Sequence, residues 1–85
     1  MKLLIDSHHG IYIPQLFCQF YADRFKGIDK GDIDEIMKGS DSEWYWEAWD
    51  NILNSAYLVQ DGKKYYLYQD MDLFLIAEDE EIEQC

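Results

Sequence analysis

The sequence predicts an α+β fold in a single small domain: one strand, three helices, then a three-stranded antiparallel meander, with the helices packed on one face of the sheet. Three observations carry that expectation. Apolar residues recur every three or four positions between residues 13 and 56. The period changes to two from Ala56 onward, and an Asp-Gly pair separates two alternating runs. The chain has 85 residues, enough for one core without disulfide or metal staples. Its 48% hydrophobic and 16% aromatic content separates it from disordered acidic chains, which lack such residues. One domain over residues 1–77 is expected, with an acidic tail at 78–85.

The elements follow in order. Lys2 to Asp6 is apolar and bounded by Ser7-His8-His9-Gly10, which suits a short strand. Pro14 fits the first turn of a helix, where its missing N–H costs nothing. Ile13, Leu16, Phe17, Phe20 and Tyr21 then form an apolar stripe, and Gly27 follows Arg24 and Lys26 as a stop. Asp29 to Lys38 reads as a second helix with Ile33, Ile36 and Met37 on one face, closed by Gly39. Ser40-Asp41-Ser42-Glu43 matches a capping box and predicts the start of a third helix. Its stripe is Tyr45, Ala48, Trp49, Ile52, Leu53 and Ala56, with Glu43, Glu47 and Asp50 on the opposite face.

Ala56 to Gln60 and Lys63 to Gln69 read as a hairpin closed by a type I′ turn at Asp61-Gly62. That turn pairs Val59 with Lys64, Leu58 with Tyr65, and Tyr57 with Tyr66. Gln69-Asp70-Met71-Asp72 is a second turn and Leu73 to Ala77 the last strand. This strand is apolar on both faces, so it belongs in the middle of the sheet or under cover on both sides, with the first strand as neighbour.

Charge bounds the partners. Eighteen Asp and Glu against seven Lys and Arg give a net charge of −11. Such a balance disfavours direct binding of nucleic acid or anionic membrane and favours a basic protein surface. Duplex DNA carries about one phosphate per 110 Å² of its cylinder. A domain of this mass exposes ~5,300 Å², about one net charge per 480 Å², so its acids imitate a duplex only if they are concentrated on one side. Two concentrations are visible. One is Glu43, Glu47 and Asp50; the other is Glu78, Asp79, Glu80, Glu81 and Glu83.

No signal sequence is expected from Met1-Lys2-Leu3-Leu4-Ile5-Asp6, and no stretch approaches the ~20 apolar residues of a membrane span. Cys18 and Cys85 are expected to be free thiols in a reducing compartment. Asp6, His8 and His9 are the one grouping that suits a metal or proton transfer. Adjacent residues on an extended segment point to opposite sides, however, and no further ligand spacing accompanies them. Neither a nucleophile with an activating neighbour nor a phosphate loop is present, so no catalytic residue, metal or cofactor is expected. The aromatics are more telling. Trp44, Tyr45 and Trp46 span about 200° of a helix and cannot share one core face, which leaves Trp44 as a candidate anchor for a partner. Tyr57, Tyr66 and Tyr68 cluster on one sheet face beside Lys64, either under the N-terminal segment or exposed.

Glu43-Trp44-Tyr45-Trp46-Glu47-Ala48-Trp49-Asp50, with Asp61-Gly62, Leu67-Tyr68-Gln69-Asp70 and Ile11-Tyr12-Ile13-Pro14-Gln15, resembles a family of small acidic proteins of bacteriophages and mobile elements. Relatives continue the Gln-Asp turn with Gly where this chain has Met71, which bears on the register of the last strand. The resemblance implies context: many such proteins inhibit host nucleic-acid enzymes, including anti-CRISPR and anti-restriction types, and act in the cytoplasm of the infected bacterial cell. The expected function is to bind and block a basic, nucleic-acid-handling surface of a host defence protein. Glu43, Trp44, Glu47, Asp50, Glu78, Asp79, Glu80, Glu81 and Glu83 are the expected contact residues. The alternatives are a structural phage protein that forms a homo-oligomer, such as a homodimer, through its aromatic face, and a small-molecule sponge or hydrolase using His8, His9 and Asp6.

Overall fold

Asp61 and Gly62 both take positive φ, 55° and 76°, the backbone that a type I′ turn demands. The turn joins strands in the expected register, with Tyr57 opposite Tyr66, Leu58 opposite Tyr65 and Val59 opposite Lys64. The computed structural model describes residues 2–5, 13–70 and 73–78. Its elements are β1 (Lys2–Ile5), α1 (Ile13–Phe20), a 3-10 turn (Ala22–Arg24), α2 (Lys30–Lys38), α3 (Tyr45–Ser55), β2 (Tyr57–Gln60), β3 (Lys63–Asp70) and β4 (Leu73–Glu78). The strands form one antiparallel sheet in the order β1-β4-β3-β2.

β4 lies between β1 and β3, and Phe74, Leu75, Ile76 and Ala77 are all buried, as a strand apolar on both faces requires. Its register against β3 sets Asp70 opposite Leu73, so β3 runs one residue further than the Gln-Asp turn implied. Glu78 pairs with Tyr65 and belongs to β4 rather than to a tail. Residues 71 and 72 lie outside the described residues.

One core holds the layers together. Ile13 and Phe17 of α1, Ile36 of α2, and Tyr45, Ala48, Trp49 and Ile52 of α3 join Leu67, Phe74 and Ile76, which share one sheet face. Phe17, Trp49 and Phe74 meet edge-on or tilted, with centroids 5.1–5.6 Å apart, a favoured arrangement for buried rings. The buried indole N–H of Trp49 donates to Gln69 Oε1 at 2.9 Å, so the core has a satisfied polar group at the sheet surface. Among the described residues no helix is long and apolar enough to cross a membrane.

Three expectations need correction. α1 ends at Phe20, well before Gly27, and the 3-10 turn follows. The redirected chain leaves Phe20 58% exposed despite its place on the apolar stripe. Gly27 instead serves a crossing. It has φ 80°, and a Cβ there would lie 2.3 Å from the Ser55 carbonyl oxygen. Beside it, Lys26 and Tyr57 exchange two backbone hydrogen bonds of 2.8 and 3.0 Å.

The capping box does not form either. α3 begins at Tyr45, and residues 40–44 are turn. Ser42, not Ser40, serves the helix start: its Oγ accepts from the Trp44 N–H at 3.3 Å and donates to Glu35 at 2.8 Å. The third correction concerns Cys18. It is half-buried and packs against the core, although the helical spacing set it off the apolar stripe.

Candidate protein-binding groove

α2 starts where its sequence says it should. Asp29 is the N-cap and accepts from Gly31 N–H at 2.7 Å, and Gly39, at φ 106°, ends the helix. The short link to α3 returns the chain alongside α2 in the opposite direction. Ser42 bonds Glu35 near one end, and Asn51 Nδ2 donates to Asp32 Oδ1 at 3.4 Å further along. Both helices turn their apolar sides to the core, so the seam between their outer faces is open.

That seam is a groove of about 380 Å³. Gly31, Asp32 and Glu35 line it from α2; Trp44, Glu47, Ala48 and Asn51 line it from α3. Glu47, Ala48 and Asn51 share one face of α3, and Trp44, the residue that caps its start, continues that face. Small residues, Gly31 and Ala48, leave the space, and Trp44 stands over it 54% exposed. Tyr45, the next residue and the first of α3, is fully buried, so the two consecutive aromatics face opposite ways although Trp44 precedes the helix.

The three carboxylates differ in what they already hold. Glu35 accepts from Lys38 Nζ at 2.7 Å and from Ser42 Oγ at 2.8 Å. The Lys38 bond and then the Ser42 bond hold its carboxyl below the ordinary range, and the same contact raises the Lys38 ammonium. Asp32 accepts one long amide bond from Asn51. Among the described residues Glu47 has no cation partner. Lys38 thus offsets Glu35, while Asp32 and Glu47 leave the groove negative.

Of the expected contact residues, the structure brings together Trp44 and Glu47. Glu43, in the turn before α3, and Asp50, on α3, are exposed but do not line the groove. Glu78 is elsewhere. Trp49 bonds Gln69, Ala56 bonds Leu67, and Glu78 lies opposite Tyr65; this order along β3 runs away from the start of α3. Glu78 also pairs with Lys63 at 3.5 Å. Asp79, Glu80, Glu81 and Glu83, like Asp6, His8, His9 and Cys85, lie outside the described residues. Asp32, Glu35 and Asn51 were missed. Their signal was the i, i+3 spacing of Asp32 and Glu35 beside Gly31, but only the pairing of the helices shows what they face.

The other sheet face is chemically different. Lys64 Nζ lies 4.4 Å from the Tyr57 ring centroid and 5.2 Å from that of Tyr66, so a cation of the chain itself already sits over these rings. Tyr57, Tyr66 and Tyr68 are half-buried, and Val59 beside Lys64 is 49% exposed. Cover by residues 6–12 lies outside the described residues. Among the described residues no group of three or more His, Cys, Asp or Glu is placed to hold a metal ion. Comparison of the chain with models of protein families, with curated proteins and with solved structures finds no match.

Proposed function

We propose that this protein is a binding protein that occupies a basic, nucleic-acid-handling surface of a host defence protein, in the manner of phage and mobile-element inhibitors of the anti-CRISPR or anti-restriction kind. The observation that carries the reading is the half-exposed Trp44 set among Asp32, Glu35 and Glu47. An aromatic anchor beside uncompensated carboxylates suits a basic protein surface, and the net charge of −11 steers such a partner while repelling nucleic acid. The likeness of residues 43–50 to small acidic phage proteins points the same way.

Binding rather than catalysis fits the thiol as well. Burial pushes Cys18 up to about 12, so it stays protonated and unreactive near neutrality. The groove is preferred to the tyrosine face because Lys64 would be buried with any partner placed there, at a desolvation cost.

The test is capture of a partner from bacterial host extract at low and high salt, followed by measurement of nucleic-acid binding by the captured protein. The expected result is a basic nucleic-acid-binding protein retained at low salt, released at high salt, and displaced from its nucleic acid by this chain. Exposed charges are screened beyond ~8 Å at physiological ionic strength, which sets the salt response. A partner that keeps its nucleic acid while bound to this chain sinks the proposal.

A further inference from the structure

We propose that the groove between α2 and α3 is a socket for one arginine side chain of a partner protein, its guanidinium plane against the Trp44 indole and its N–H groups on Asp32 and Glu47. The inference rests on the reading of this face as a basic-surface binder and names what the face recognises.

Four properties of the groove select the occupant. Trp44 is held at the start of α3 by the Ser42 hydroxyl and the buried Tyr45, which leaves its ring exposed at the groove rather than folded into the core. A planar cation gains most from an indole face, and guanidinium is both planar and weakly hydrated. Asp32 and Glu47 line the groove from different helices, and a forked donor with several N–H groups suits such a divided pair of acceptors better than an ammonium, which acts as a compact point charge. Glu35 is tied to Ser42 and Lys38, so it forms a fixed wall and leaves the two other carboxylates for the ligand.

Other occupants fit worse. A phosphate meets like charge. An apolar side chain would cover Asp32 and Glu47 without pairing them, a costly burial.

The experiment follows the three indole N–H signals of Trp44, Trp46 and Trp49 by nuclear magnetic resonance. The probes are blocked Gly-Arg-Gly peptide and its lysine and citrulline counterparts. The expected result is a saturable shift of the Trp44 signal with the arginine peptide, about fivefold weaker binding with lysine, and none with citrulline. Trp46 and Trp49 stay in place. Asp32→Asn and Glu47→Gln each weaken arginine binding about fivefold, while Glu43→Gln and Asp50→Asn, which remove the same charge outside the groove, do not.

Equal binding of the arginine and lysine peptides overturns the socket, and so does equal weakening by all four variants. The two proposals fail separately. Displacement of nucleic acid from a basic partner that survives both Asp32→Asn and Glu47→Gln ends the socket and leaves the inhibitor. Arginine binding at Trp44 without such displacement ends the inhibitor and leaves the socket.

Discussion

Gly27 carries two constraints at once. Its φ of 80° is open to Gly and costly to other residues, and the Ser55 carbonyl fills the space a Cβ needs. Gly27→Ala is therefore expected to lose about 2 kcal/mol or more in urea unfolding, whereas Gly62→Ala, with open space around it, loses only the backbone part, about 1 kcal/mol. Cys18 makes a different prediction. Its ordinary value is 9.0, and burial raises it to about 12 in the folded protein. Between those values the unfolded chain gives up the proton that the folded chain keeps. Stability therefore falls as pH rises from about 9 toward 12, and below 9 the thiol contributes no slope. Unfolding at pH 8 and pH 10 checks the sign: wild type should lose more stability across that interval than Cys18→Ala. An equal loss means that the thiol is not held protonated.

At the scale of elements, α3 shows where local pattern and tertiary structure compete. Ser40 and Glu43 have the spacing of a capping box, yet the hydroxyl in use is that of Ser42, drawn to Glu35 seven residues earlier. Ser42→Ala is expected to cost about 1 kcal/mol and Ser40→Ala less than about 0.5 kcal/mol. The reverse order would restore the local motif as the cap. The β-hairpin was legible because its determinant is local: Asp61-Gly62 fixes both the turn and the pairing of Tyr57 with Tyr66. The central position of β4 was legible because Phe74 to Ala77 are apolar on both sides. The end of α1 was not, since the stripe through Phe20 and Tyr21 continues past the point where the chain turns. The groove was half legible. Trp44, at the cap of α3, and Glu47, in its first turn, are three residues apart and could be read from spacing, but Asp32 and Glu35 join them only through the packing of α2 on α3.

At the scale of the whole molecule, the described residues carry their charge unevenly. Among the described residues the uncompensated acids at the helix seam and Glu78 at the far end of β4 do not form one stripe, and the net charge of −11 adds a general field. That field has opposite effects on folding and on binding. Salt screens self-repulsion within the chain and attraction to a basic partner alike. Raising sodium chloride from about 20 to about 300 mM is expected to raise the melting temperature while weakening partner binding. A melting temperature that falls over this range would show that attractive pairs such as Lys38–Glu35 outweigh the repulsion. The bridge between Lys26 and Tyr57 has its own consequence at this scale. β2 closes one side of the sheet, and an open strand side is a template on which a second chain can add its own strand. Lys26 occupies one rung of that template and sets a charged side chain beside it, so the crossing at Gly27 leaves a shorter open edge for an added strand as well as supporting the fold.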